Sequence, residues 1–133
     1  MNTVLLVEDD LGNRAVIEDI FRFDNIGAEL AVAESGEAAI VMLAAQTKPI
    51  LILMDIRLPG MSGLETTISI RLDPNTKDTP IWAITAYART EDRVKALAAG
   101  CDDHITKPFN RSQLAQRLRE FVASHVRGVH SCP

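Results

Sequence analysis

The stretch Pro49-Ile50-Leu51-Ile52-Leu53-Met54-Asp55 constrains this chain more than any other. Five consecutive apolar residues, two of them β-branched, run into one carboxylate, and Leu58-Pro59-Gly60 follows as a turn signal. An apolar run of this length without alternation predicts a strand buried on both faces, as in a parallel sheet covered by helices. In open α/β sheets the ligand crevice lies at the carboxyl ends of the strands, and Asp55 stands at such an end. A carboxylate there either caps the following turn or does chemistry.

The rest of the chain repeats the pattern. Thr3 to Val7 is a β-type run ending in Glu8-Asp9-Asp10. From Leu11 the spacing turns helical, with Leu11, Ala15, Ile17 or Glu18, Ile20 and Phe21 as the expected inward stripe and Asp10 as its cap. Ala28 to Ala33 predicts a short second strand alternating at Leu30 and Val32. Ser35 can cap a second helix, whose apolar side is Ala38, Ala39, Val41, Met42 and Leu43. Ser62 with Glu65 three residues later is a capping box for a helix to about Leu72, which Asp73-Pro74-Asn75 breaks.

Pro80 opens a fourth buried strand, Ile81 to Thr85. Thr90, followed by Glu91 and Asp92, starts a helix that Gly100 ends. Asp102 to Thr106 predicts a fifth strand. Asn110 with Gln113 starts a last helix carrying Leu114, Leu118, Phe121 and Val122 inward. Five strands alternating with five helices predict a doubly wound, flavodoxin-like α/β fold, a five-stranded parallel sheet of order 2-1-3-4-5. The expected domain runs from residue 1 to 127, with 128–133 a flexible tail.

Totals narrow the function. The 133 residues are 47% hydrophobic and 24% charged, enough for one globular domain with a substantial core. A net charge of −4 gives no electrostatic footprint for nucleic acid. No apolar run approaches the roughly 20 residues that span a bilayer, and the amino terminus lacks signal-peptide features. The expectation is a cytoplasmic protein that binds neither nucleic acid nor membrane. Cys101 and Cys132 make no disulfide framework, and the three histidines show no metal-ligand spacing.

In the predicted topology the ends of strands one, three, four and five converge, carrying Glu8 and Asp9, Asp55, Thr85 and Lys107. Three carboxylates around one crevice repel one another, and a hard divalent cation such as Mg2+ resolves that repulsion. Lys107 adds positive charge and Thr85 a hydroxyl donor. Such a site suits a phosphoryl group whose oxygens are neutralised while a carboxylate attacks in line. Each motif alone has a blander reading: a solvated acidic turn, a β-forming Thr, a surface Lys. Their joint placement favours the site. The segment after strand one is acidic where a nucleotide loop is Gly-rich, which argues against a dinucleotide or P-loop enzyme.

Val7-Glu8-Asp9-Asp10, Leu53-Met54-Asp55 with Leu58-Pro59-Gly60-Met61-Ser62-Gly63, Ile84-Thr85-Ala86, Gly100-Cys101-Asp102-Asp103 and Lys107-Pro108-Phe109 together resemble a two-component response-regulator receiver domain. The match covers roughly residues 3 to 126. The resemblance implies that Asp55 accepts a phosphoryl group from a histidine kinase or histidine phosphotransfer protein. It implies that Glu8 and Asp9 form an acidic pocket, that Asp9 and Asp55 hold Mg2+, and that the main-chain carbonyl of Arg57 completes the protein ligands. Thr85 and Lys107 would contact the phosphoryl oxygens, and the Lys107–Pro108 bond would be cis.

The sequence departs from the family three residues before Lys107, where an aromatic is usual and His104 stands. His104 is either the switch partner of Thr85 or a surface strand residue. The expected molecule is a stand-alone receiver, not an enzyme beyond slow self-dephosphorylation, since Arg57 and Tyr87 flank the water's approach. Its output would pass to a protein partner on the face of the fourth helix, fifth strand and fifth helix, with Arg89, Glu91, Arg93, Lys95 and Arg117 exposed. The alternatives are a receiver segment of a hybrid kinase or longer regulator, a receiver-like module that is never phosphorylated, and a small aspartyl-nucleophile phosphatase. The phosphatase would want a second acid at position 57, which is Arg.

Overall fold

The five residues Leu51–Asp55 form a strand, β3, in which every side chain is buried, because helices cover both of its faces. The computed structural model describes residues 2–45, 48–86 and 90–126. In chain order its elements are β1 (Thr3–Val7), α1 (Leu11–Phe23), β2 (Glu29–Ala33), α2 (Gly36–Ala44), β3, α3 (Gly63–Leu72), β4 (Ile81–Thr85), α4 (Thr90–Ala99), β5 (Asp103–Thr106) and α5 (Arg111–Val126). All strand pairings are parallel and the order is β2-β1-β3-β4-β5, as the alternation of elements predicted.

The sheet divides the interior in two. Val4, Leu6, Leu51, Leu53, Trp82 and Ile84 point to one side, against Ile17 and Ile20 of α1 and Leu114, Leu118 and Val122 of α5. Leu5, Val7, Ile52, Met54, Ile81 and Ala83 point to the other, against Ala39, Ile70 and Ala96 of α2, α3 and α4. The period of two in each strand produces this division. The predicted caps form: Asp10 accepts from Asn13 N–H at 2.8 Å, Ser35 from Ala38 N–H at 3.0 Å, and Asn110 from Gln113 N–H at 3.0 Å. Ser62 and Glu65 close the predicted capping box.

Four details differ from the sequence reading. Leu11 is 70% exposed and Ala15 is exposed, because the first turns of α1 rise above the sheet; its inward stripe begins at Val16 and Ile17. Val41 is 67% exposed, on the outward ridge of α2. β2 starts at Glu29, and Leu30 and Val32 are only half-buried because β2 is a sheet edge. β5 starts at Asp103; Asp102 instead accepts from Ile81 N–H at 2.9 Å and so aligns the start of β4. The expected tail 128–133 and Tyr87 and Arg89 lie outside the described residues. Among the described residues, no helix is long and apolar enough to cross a membrane.

Candidate functional site

Strand register assembles the site. Val7 pairs with Met54, Asp55 with Ile84 and Thr85 with Thr106. The residues one step further, Glu8 and Lys107, therefore flank Asp55 and Thr85 at the carboxyl edge of the sheet. Glu8 continues β1 by donating its N–H to Ala33 O at 3.0 Å, and Lys107 N–H donates to Thr85 O at 2.8 Å. The Lys107–Pro108 peptide is cis, as the resemblance implied.

Glu8 is fully buried, Asp55 is 4% exposed and Thr85 3%. Asp9 is exposed and opens the cluster to solvent. Ligand oxygens of Glu8, Asp9 and Asp55 lie within 4.8 Å of one another. The Lys107 ammonium lies 3.2 Å from Asp55 Oδ2 and 3.3 Å from Glu8 Oε1, bridging two of the three acids. Asp55 Oδ1 accepts from Arg57 N–H at 3.0 Å, so both carboxylate oxygens of Asp55 are oriented.

Burial pushes the Glu8 carboxyl up to about 8, helped by a hydrogen bond to Asp55 and by the Asp55 charge; Lys107 and the Asp10 N–H pull the other way. Burial opposes the charge on Lys107, but Asp55 and Glu8 outweigh it and hold the ammonium above its ordinary value. Glu8 Oε1 is buried without a well-aligned hydrogen bond and lies at ion-pair distance from the ammonium. A buried carboxyl oxygen left in this way, beside two further acids, suits a hard divalent cation: the donors are all oxygen, open to water on one side, and become fully anionic when the cation displaces the Glu8 proton. The residues present fit Mg2+.

The loop after Asp55 is shaped by two glycines. Gly60 adopts φ +71°, in the left-handed region that favours glycine. At Gly63 the first turn of α3 presses on the end of β3 so closely that a Cβ would overlap the Asp55 carbonyl oxygen. Gly63 belongs to the motif read from the sequence, but its role is a contact in space that no linear spacing discloses.

Residues 4–119 match the response regulator receiver domain family. The chain belongs to that family. This receiver is 37% identical to the receiver domain of the sensor histidine kinase PA1611 from Pseudomonas aeruginosa PAO1, with a TM-score of 0.79 over 92% of this chain and 98% of that one. That structure has a magnesium ion coordinated in the active site cleft. A putative response regulator from Chloroflexus aurantiacus J-10-fl superposes with a TM-score of 0.82 at 30% identity, over 92% of this chain and 98% of that one.

Among curated relatives, the phosphate regulon transcriptional regulatory protein PhoB of Pseudomonas aeruginosa is 36% identical over 131 residues, 98% of this chain and 56% of that protein. The sensor protein GacS of Pseudomonas syringae pv. syringae is 35% identical over 127 residues, 93% of this chain and 14% of that protein. The receiver thus spans about half the length, or less, of these curated relatives. Its function is that of a receiver in two-component signalling.

The output residues expected from the sequence divide. Glu91, Arg93 and Lys95 are exposed on α4. Arg117 is not: its guanidinium donates to Asp103 Oδ2 at 2.8 Å and to His104 O at 3.2 Å, and stacks 4.5 Å from the centre of the Trp82 ring. Sequence patterning placed Arg117 on a polar helix face and gave no sign of the Trp82 ring beneath it. The His104 side chain is 30% exposed. It lines two clefts, one of about 220 Å³ with Arg93 and Leu97 and one of about 320 Å³ with Gln113, Leu114 and Arg117.

Proposed function

We propose that Asp55 is the residue on which this receiver accepts a phosphoryl group. The observation that carries the assignment is the bridge from Lys107 Nζ to Asp55 Oδ2 and Glu8 Oε1, at 3.2 and 3.3 Å, in a buried acidic cluster at the strand ends. An oxygen of Asp55 attacks phosphorus in line; the new P–O bond forms as the donor's P–N bond breaks, and the nitrogen departs as a neutral imidazole because the donor ring's other nitrogen carries the proton. Lys107 then neutralises a phosphoryl oxygen, and the Thr85 hydroxyl donates to another. Mg2+ supplies further charge neutralisation when bound; Asp9 and Asp55, with Glu8 beside them and the Arg57 main-chain carbonyl, would hold it. The donor is a histidine kinase or a histidine phosphotransfer protein in the cytoplasm.

Thr85 and His104 form the switch in this reading. Ala83 pairs with His104 across β4 and β5, and His104 has cleft space on either side. Output passes to a protein partner at the face of α4, β5 and α5. The receiver unit is residues 1–127, and it acts as a phosphoacceptor with at most slow self-dephosphorylation. Exposed Arg57, bulky and cationic, supports slow loss because it offers no carboxylate or amide to orient water.

Incubation with acetyl phosphate and Mg2+, followed by intact-mass measurement, tests the assignment. One phosphoryl group is expected on the wild type and none on Asp55→Asn. Undiminished labelling of the Asn variant overturns it.

A further inference from the structure

The segment between Asp55 and α3 is held differently at its two ends. Near the acceptor, Ile56 N–H donates to Ile84 O at 3.2 Å, Arg57 N–H donates to Asp55 Oδ1 at 3.0 Å, and Leu58 is buried. Further along, Pro59 and Gly60 are exposed. Beyond them, Ser62 N–H is taken by Glu65 within the capping box and Gly63 N–H by Ile56 O. Met61 N–H is satisfied from elsewhere: it donates at 3.3 Å to Oε2 of Glu37, on the first turn of α2 and 24 positions earlier in the chain. The same carboxylate oxygen lies where a Cβ on Gly60 would come within 3.2 Å of it.

Glu37 projects from a fixed platform. Ser35 caps α2, and Gly36 packs on α3 so tightly that a Cβ there would overlap Thr66 Oγ1. An acid in the first turn of a helix also complements the helix dipole, but that effect requires no particular direction of the side chain. Here the carboxylate turns away from its own helix onto the acceptor loop. It is not one of the three clustered acids.

We propose that Glu37 is a positioning residue for the acceptor loop. By accepting from Met61 N–H it fixes the path of residues 57–61, and with it the direction in which the Arg57 main chain meets the acidic cluster. Glu37 acts through the backbone and touches neither metal nor phosphoryl. The proposal rests on reading that cluster as a divalent-cation and phosphoryl site.

Two substitutions separate the hydrogen bond from the charge. Glu37→Gln keeps an acceptor oxygen and discards the charge; Glu37→Ala discards both. The readouts are hydrogen exchange at the Met61 amide in metal-free protein, and Mg2+ titration followed by backbone NMR shifts. Glu37→Ala should speed Met61 exchange and weaken Mg2+ binding about fivefold, the equivalent of one ordinary net hydrogen bond. Glu37→Gln should stay close to wild type in both. Equal weakening in the two variants would assign the effect to charge and overturn the proposal, as would unchanged Met61 exchange or unchanged Mg2+ affinity in Glu37→Ala. Failure of the wild type itself to bind Mg2+ would overturn the reading of the cluster, and the proposal with it. Failure confined to the variants leaves that reading standing.

Discussion

Arg117 on α5 and Trp82 on β4 form a cation–π pair, the guanidinium carbon 4.5 Å from the ring centre, and Asp103 and the His104 carbonyl fix the same guanidinium from the side of β5. The indole also meets Phe121 edge-on at 5.6 Å. One side chain therefore ties α5 to two strands at the face proposed for output. Arg117→Ala should lower stability by about 1–2 kcal/mol, since a half-buried cation–π contact and charge-assisted hydrogen bonds are lost together. Chemical denaturation measures the loss, and Trp82 emission should shift to the red as water reaches the ring. Unchanged emission would show that Arg117 does not shield the indole.

Asp9 invites the opposite expectation. It is the exposed member of a cluster of three acids, so removing it relieves repulsion. Asp9→Ala should leave the melting temperature of the metal-free protein unchanged or raise it, while weakening Mg2+ binding roughly tenfold or more. Paired thermal melts with and without Mg2+ test both halves. A large fall in the metal-free melting temperature would contradict the electrostatic account.

The pH dependence follows from Glu8, whose carboxyl lies at about 8 when folded against an ordinary value of 4.5. Between those values the folded protein keeps a proton that the unfolded chain has lost. Stability of the metal-free protein should therefore decline as pH rises from 4.5 to 8, in proportion to that one proton. Mg2+ competes with the same proton, so its affinity should rise across pH 6 to 8 and its binding should release protons into the buffer. Calorimetric titration in two buffers of different ionisation enthalpy counts them. A pH-independent affinity over this range would contradict a raised Glu8.

Arg71 governs the far end of the molecule. Its guanidinium donates to Gly100 O at 2.9 Å, Lys77 O at 3.0 Å, Thr79 O at 2.8 Å and Asp102 Oδ2 at 3.0 Å. It thereby binds the end of α3 to the approach to β4 and the end of α4. Arg71→Ala should destabilise the receiver by about 2–4 kcal/mol, because several half-buried carbonyls lose a charged donor together. Mg2+ affinity should be unchanged, since none of these groups adjoins the acidic cluster. A matching loss of Mg2+ affinity would show coupling between the two ends.

The sequence made the strands, their order and the acidic cluster legible for one physical reason. A buried parallel strand has no solvent face, so its apolar run ends abruptly where the chain emerges, and the emerging residue is marked by polarity. Asp55, Glu8 and Thr85 all stand at such breaks. Helix faces were read less well, as Leu11 and Val41 show. A helix on a sheet covers only part of its length, and periodicity does not disclose where cover begins. Arg117 and Glu37 were hidden for another reason: their partners, Trp82 and Met61, are distant in sequence, and a charged residue on a helix surface looks the same whether solvated or engaged.

The sheet separates one apolar layer under α1 and α5 from another under α2, α3 and α4. The molecule is in effect a two-ply laminate, with the sheet as the board between the plies. A seam between plies is exposed at the sheet's margin. At β5, an edge strand, a single visitor would rest on α4 from one ply and α5 from the other, and so span both layers at once.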